Sequence, residues 1–218
     1  MTLSKPVRLY ETFRAPNPRR VAIFLAEKAL DIPREEVDIM AGQHREEPYV
    51  AFAGAPHVPA LELDDGTVLT ETIAICRYLE ALWPEPNLMG RDPREAAEIE
   101  MWQRRMEFGL FNVIAQHVRH AVPAMAALED QCAEWGAATR GRIDRALEEL
   151  DRRLRGRSFI AINRYSVADI TAQVAIDFLR VPRIEVPEEL EALQTWIRRV
   201  KSRPSAMAGL ERPKRGQT

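Results

Sequence analysis

The sequence predicts an α/β unit of roughly 80 residues followed by an all-helical remainder. Two observations carry this. Residues 1–83 read as strand, helix, strand, irregular segment, hairpin and helix. Then comes Trp83-Pro84-Glu85-Pro86-Asn87-Leu88-Met89-Gly90, a proline-rich break beyond which no strand signal survives. Two prolines in three residues stop a helix and stiffen a connection. The expected organisation is a first domain at 1–83, a linker at 84–92 and a helical domain at 93–218.

Val7 to Tyr10 is apolar enough for a buried strand, and the breakers Pro16, Asn17 and Pro18 follow it. Val21, Phe24, Leu25 and Lys28 then recur at helical spacing. Val37 and Ile39 alternate within 31–40, which suggests a second strand, and 41–57 has no strong period and reads as irregular. Pro59–Leu63, Asp64-Asp65-Gly66 and Thr67–Leu69 form a hairpin pattern, because Asp-Gly supplies the positive φ a tight turn needs. Thr70-Glu71-Thr72 opens a helix with Ile75, Leu79 and Leu82 on its apolar stripe. In the second half, 93–121 reads as one long helix. A second spans 128–155, with Trp135, Thr139, Ile143, Leu147, Leu150 and Leu154 along one face. Ser166-Val167-Ala168-Asp169 is a capping-box start to a helix apolar nearly all round, hence buried. A last helix is expected from about Pro187 to Arg203, with the polar ERPKRGQT frayed after it.

Composition narrows the class. Basic and acidic residues nearly cancel, 31 against 33, so no global field draws nucleic acid or acidic lipid. No run of about 18 apolar residues exists, so no spanning helix is expected, and MTLSKPVRLY lacks a signal peptide's apolar stretch. Cys76 and Cys132 are the only cysteines and form no CxxC pair. That fits a reducing, cytoplasmic setting and implies no metal framework.

Four strings in order resemble the cytosolic glutathione S-transferases, in particular bacterial theta- and nu-like members, over nearly the whole chain. They are Ala15-Pro16-Asn17-Pro18-Arg19-Arg20-Val21, Gly42-Gln43-His44, Val58-Pro59 with the hairpin and Thr70-Glu71-Thr72-Ile73-Ala74-Ile75, and Ser166-Val167-Ala168-Asp169-Ile170. The resemblance implies a thioredoxin-like N-terminal domain, an all-α C-terminal domain and a homodimer. It also implies glutathione as cosubstrate and a small hydrophobic electrophile as its target.

Glutathione carries two carboxylates, an ammonium and a thiol, so its site must satisfy opposite charges close together. A helix start at Glu71-Thr72 suits the γ-glutamyl end: the exposed N–H groups and the Thr72 hydroxyl meet its carboxylate, and Glu71 its ammonium. The bland alternative is that Thr70 or Thr72 caps the helix and Glu71 favours its first turn. The resemblance implies that Val58-Pro59 is cis and pairs with the cysteinyl backbone, and that Gln43 and His44 bind the glycyl carboxylate; His57 is a weaker candidate. Phe52-Ala53-Gly54-Ala55-Pro56-His57 departs from the family's pattern just upstream.

The thiol ionises near pH 8.5 unless something stabilises its anion. The position matching the theta-type serine is Ala15, which has no donor. Asn17 is the leading substitute: nu-type members carry Thr-Pro-Asn where this chain has Ala-Pro-Asn, and an amide NH2 donates without giving up a proton. The competing role for Asn17 is N-cap of a helix opening at Pro18. Thr12 is a second candidate donor, Arg14 or Arg19 could add positive potential, and Tyr10 should turn into the core. Cys76 reads as an inert buried thiol, and Cys132 has no evident acid–base partner. An electrophile pocket between the halves is expected along the long helix, at Trp102, Met106 and Phe111, although each of these taken singly is more simply read as interhelical or dimer packing. The alternatives to a transferase are a glutathione-dependent disulfide or peroxide reductase of nu type and a non-catalytic, ligand-binding protein that kept the cleft. A structural interaction module is a third reading.

Overall fold

A computed structural model describes residues 3–210. It has two compact units, one up to Pro86 that also takes in the chain from Pro204, and one spanning Asn87–Arg203. The expected linker is therefore divided, and the tail segment does not stay with the helices it follows. ERPKRGQT lies outside the described residues.

The first unit is built on a four-stranded sheet of order β2-β1-β3-β4. Its strands are β1 (Pro6–Glu11), β2 (Arg34–Glu36), β3 (Ala60–Leu63) and β4 (Val68–Thr70). β1 runs parallel to β2 and antiparallel to β3, and β3 pairs antiparallel with β4 across a turn whose Gly66 takes φ +83°. Leu9 and Leu61 face each other in register and are fully buried. Helix α1 (Pro16–Glu27) and helix α3 (Thr72–Leu82) contribute Val21, Phe24, Leu25, Ile75 and Leu79 to the same core.

The helix expected to open at Pro18 already holds Pro16 and Asn17 in its first turn. The helix starts at Pro16 with Ala15 as N-cap. Proline suits that turn because the N–H it lacks has no partner inside the helix. The stretch 41–57 is also more regular than its sequence suggests. It contains a 3₁₀ turn, Gln43–Arg45, and helix α2 (Glu47–Ala53), closed by Gly54 at φ +72°. Only Ala53 of α2 is buried, so the helix is too short and too shallowly packed to show a clear apolar period.

A buried ammonium anchors the end of α3. Lys28 Nζ pairs with Glu80 Oε2 at 2.8 Å and donates to Trp83 O at 2.6 Å and Pro86 O at 3.0 Å. An ammonium removed from water needs such partners: the two carbonyls accept its protons and the carboxylate balances its charge. The returning segment packs on α1: Arg19 Nη2 donates to Ala206 O at 3.0 Å, and Arg14 N donates to Gly209 O at 3.3 Å. Gly209, at φ +75°, fits because a Cβ there would stand 3.0 Å from Arg19 Cγ and 3.1 Å from Ala22 Cβ.

In the second unit Asp92 caps α4 (Pro93–Arg104), accepting from Arg94 N and Glu95 N at 2.9 Å each. A π-helical stretch, Arg105–Phe111, joins α4 to α5 (Asn112–Ala121) without a break, so the long helical run expected over 93–121 is present, with a change of hydrogen-bond register at its centre. α6 (Ala133–Leu154) buries Thr139, Ile143, Leu147, Leu150 and Leu154, but Trp135 stays 38% exposed. α7 (Val167–Phe178) is buried almost throughout, and α8 (Glu191–Lys201) buries Leu193, Trp196, Ile197 and Val200.

The capping box at Ser166 and Asp169 forms, and Asp169 does more than cap. Its carboxylate also accepts from Ile160 N and Trp196 Nε1, each at 3.0 Å, tying the preceding loop and α8 to α7. Complete burial pushes the Asp169 carboxyl up to about 6, against the pull of those donors.

Candidate active site

The expected ligand-binding residues of the first unit gather at the C-terminal end of β1. The Tyr10↔Ala60 pairing, carried two residues further, sets Thr12 across from Val58. Val37, just past β2, donates its N–H to Glu11 O at 2.8 Å and accepts the Thr12 hydroxyl at 2.5 Å. Gln43 Oε1 accepts from Asp38 N at 2.8 Å, which ties the 3₁₀ turn to the same place. Thr72 Oγ1 reaches Asn17 O at 3.5 Å, so the first turns of α1 and α3 meet there too.

α3 begins unusually. Glu71 is its N-cap at φ 66°, ψ 118°, with no side-chain cap bond, so neither threonine caps the helix. A non-glycine residue held in this region costs about 1–3 kcal/mol. The strain presents the Glu71 carboxylate to solvent without a side-chain partner among the described residues. The helix has no acidic residue in its first turn, so the N–H groups of Thr72 and Ile73 keep their positive potential. A carboxylate beside free amides matches an α-amino acid, ammonium to one and carboxylate to the other. Thr72 is itself buried, at 4% exposure.

The Val58–Pro59 bond is cis. Val58 is not in a strand, and among the described residues its backbone N–H and C=O are unpaired, leaving both for a ligand backbone. His44 is half-buried, and its Nδ1 has no hydrogen-bond partner. Burial, with Arg45 and His57 nearby, holds its imidazole below the usual range. Gln43 keeps its amide NH2 free while its oxygen holds the loop.

At α1, prolines occupy the first and third positions, so among the described residues Asn17 supplies the one N–H of the first turn that is not bonded. Arg19 N is already bonded to Ala15 O at 3.0 Å. The Asn17 side-chain oxygen accepts from Arg20 Nη2 at 2.7 Å, and its NH2 has no partner among the described residues. Asn17 is thus not the N-cap; it lies within the first turn, with two N–H donors to offer. Arg20 is absent from the sequence-derived candidates, although its i,i+3 spacing from Asn17 was a readable signal.

Other expectations are corrected. The single hydroxyl proton of Thr12 is committed to Val37 O, which argues against Thr12 as a sulfur donor. Arg14 and Arg19 turn to the returning segment, where their guanidinium groups bond Leu210 O and Ala206 O. Tyr10 is half-buried, not core: its hydroxyl donates to Glu62 Oε2 at 3.0 Å, and its ring lies 4.6 Å from that of Phe52. Cys76 is buried, with its thiol pushed up to about 12, and is inert as expected. Cys132 is exposed and donates to Glu134 Oε2 at 3.5 Å. Among the described residues no group of three or more His, Cys, Asp or Glu could hold a metal, and no helix is long and apolar enough to cross a membrane.

In the second unit, Trp102 and Met106 line a cavity of about 560 Å³ with Phe108, Leu110 and Leu150. Trp102 is flanked by the guanidinium groups of Arg105 and Arg153, 4.6 and 4.1 Å from its ring centroid. Phe111 is not part of this cavity. It is buried, with its ring 6.3 Å from that of Phe178.

Comparison with known proteins decides what carries this geometry. The chain is 35% identical over 207 residues to "Glutathione S-transferase 2" of Saccharomyces cerevisiae, which covers 93% of this chain and 89% of that protein. The chain belongs to the glutathione S-transferase family. The family's N-terminal domain model matches residues 15–82 and its C-terminal domain model residues 113–204. The fold matches the crystal structure of Gtt2 from S. cerevisiae with a TM-score of 0.87, over 92% of this chain and 98% of that one. It also matches a class Gtt2 glutathione S-transferase of Vibrio parahaemolyticus, 33% identical, with a TM-score of 0.82 over 93% and 96% of the two chains. The thioredoxin-like first unit and all-helical second unit are those of the family. The named relatives are of the Gtt2 class, where the sequence motifs alone suggested a theta- or nu-like member.

Proposed function

We infer that this glutathione S-transferase joins the thiolate of glutathione to a small hydrophobic electrophile, and that Asn17 does the work the family gives to a hydroxyl. Family membership makes it a glutathione-using enzyme. The observation that carries the finer reading is the first turn of α1: the Ala15 side chain cannot donate, while Asn17 has both its backbone N–H and its NH2 unbonded among the described residues. Two donors and the positive end of a helix favour an anion over a neutral thiol. The thiol proton leaves to solvent, sulfur bonds to the electrophilic carbon, and the leaving group departs with the electron pair of the broken bond.

The remaining contacts follow the charges of glutathione. Glu71 and the α3 N-terminus with Thr72 take the γ-glutamyl end, Val58 and Pro59 the cysteinyl backbone, and Gln43 and His44 the glycyl carboxylate. Trp102 and Met106 are the candidates for the electrophile; Phe111 is withdrawn because its ring serves the core. A cytoplasmic homodimer is the form in which we expect the enzyme to act.

Calorimetric titration of glutathione, with turnover measured on a panel of halogenated aromatic, disulfide and peroxide substrates, tests this reading. Binding with thioether formation supports it. Turnover confined to disulfides or peroxides would move the protein to the reductase reading that its nu-like Ala-Pro-Asn turn suggests. Binding without any turnover would leave a non-catalytic ligand-binding protein.

A further inference from the structure

The site reading leaves one buried charge without a role. Arg20 is 4% exposed, one turn beyond Asn17 on α1, and its guanidinium donates to Asn17 Oδ1 at 2.7 Å. Its charge also reaches the buried Cys76 thiol of α3, on which Lys28, at the C-cap of α1, and Glu80 of α3 act as well, with Glu80 held by Lys28 at 2.8 Å.

Two consequences follow from the chemistry. A guanidinium has only donors, so the atom facing it must be the amide oxygen, which fixes the orientation of the Asn17 side chain. The NH2 group is then held at the other end of the amide, away from the guanidinium. A positive charge bonded to the oxygen also draws electron density from the nitrogen and strengthens its N–H groups as donors.

We propose that Arg20 is a positioning residue for the thiolate site: it sets which end of the Asn17 amide meets sulfur and lends charge to that end. The proposal rests on the reading of Asn17 as sulfur donor. It explains how an amide serves where the family commonly has a hydroxyl, since an Asn free to flip would present its oxygen to an anion half the time. The i,i+3 placement supplies the lock with a single side chain on the same helix.

The test is a pH titration of the thiolate absorbance of bound glutathione. It compares wild type, Arg20→Met and Arg20→Lys, each also in an Asn17→Ala background, alongside affinity for S-methylglutathione, which has no thiol proton. Arg20→Met is expected to raise the midpoint of thiolate formation by about one pH unit, tenfold less thiolate at a given pH below it. S-methylglutathione affinity should change less than about twofold, because a neutral sulfur makes little use of the donors. In the Asn17→Ala background the Arg20→Met shift should largely vanish, since the two residues act through one bond. Should Arg20→Met fail to fold, Arg20→Lys carries the test, with a smaller shift expected and an unchanged midpoint overturning the proposal. A wild-type midpoint in folded Arg20→Met overturns it as well, as does an equal shift with and without Asn17. An Asn17→Ala midpoint equal to wild type overturns the Asn17 reading and this one with it.

Discussion

Replacing Glu71 by glycine should make the protein more stable and worse at binding glutathione. Glu71 is held at φ 66°, ψ 118° with its carboxylate in solvent and no side-chain partner among the described residues, so its side chain returns nothing to the fold. Relief of strain is worth about 1–3 kcal/mol. Glycine's extra freedom in the unfolded chain takes back about 0.5–1 kcal/mol. The net gain is of order 1 kcal/mol, a rise in Tm of about 2–4 °C for a chain of this size. Binding loses a charge-assisted bond to the glutathione ammonium, about 1.5–3 kcal/mol, so Kd should rise roughly 10- to 100-fold. Glu71→Gln separates the two effects, since it keeps the strain and drops the charge: Tm should stay and affinity should fall. Scanning calorimetry and isothermal titration on the three proteins read both quantities. A glycine variant that melts earlier and binds as tightly as wild type would refute the link between strain and binding.

Three further perturbations follow from the same structure. Asp169→Asn should be least tolerated in acid. Because the folded carboxyl sits near 6, above its ordinary value of 3.8, its contribution is greatest below the unfolded value and is lost as pH rises through 6. The stability gap between wild type and variant, read by urea titration, should therefore shrink by roughly 2 kcal/mol from pH 4 to pH 7. Thr12→Val should cost about 1 kcal/mol for the lost bond to Val37 and leave kcat/KM within about threefold, by denaturant titration and steady-state rates. Gly209→Ala should destabilise by about 1–3 kcal/mol through its positive φ and the contacts with Arg19 and Ala22, lowering Tm in a thermal scan.

The legible parts of this protein were those written in local chemistry. Asp65-Gly66 announced the hairpin, Ser166 and Asp169 announced the start of α7, and the loss of strand pattern after Pro86 announced the second unit. Glu71, Thr72, Val58 and Asn17 were readable as a set because the resemblance supplied an order that no single motif has. What was not legible depends on packing between distant segments. Helix α2 buries only Ala53, so its pattern shows no apolar stripe. The return of Pro204–Leu210 to α1 rests on Gly209 and backbone carbonyls that have no sequence signature. Thr12 looked like a donor until Val37 O, contributed by the chain after β2, proved to hold its proton. Phe111 looked like pocket lining because an aromatic on a helix reads the same whether it faces a ligand or Phe178.

The central claim is that Asn17 stabilises the glutathione thiolate where Ala15 cannot. The most direct test is the thiolate absorbance of glutathione bound to wild type and to Asn17→Ala, followed from pH 5 to pH 9 at saturating ligand. The account predicts a wild-type midpoint well below the ordinary thiol value of about 8.5 and a return of the variant toward it, with binding retained. A variant that ionises glutathione at the wild-type pH would contradict it.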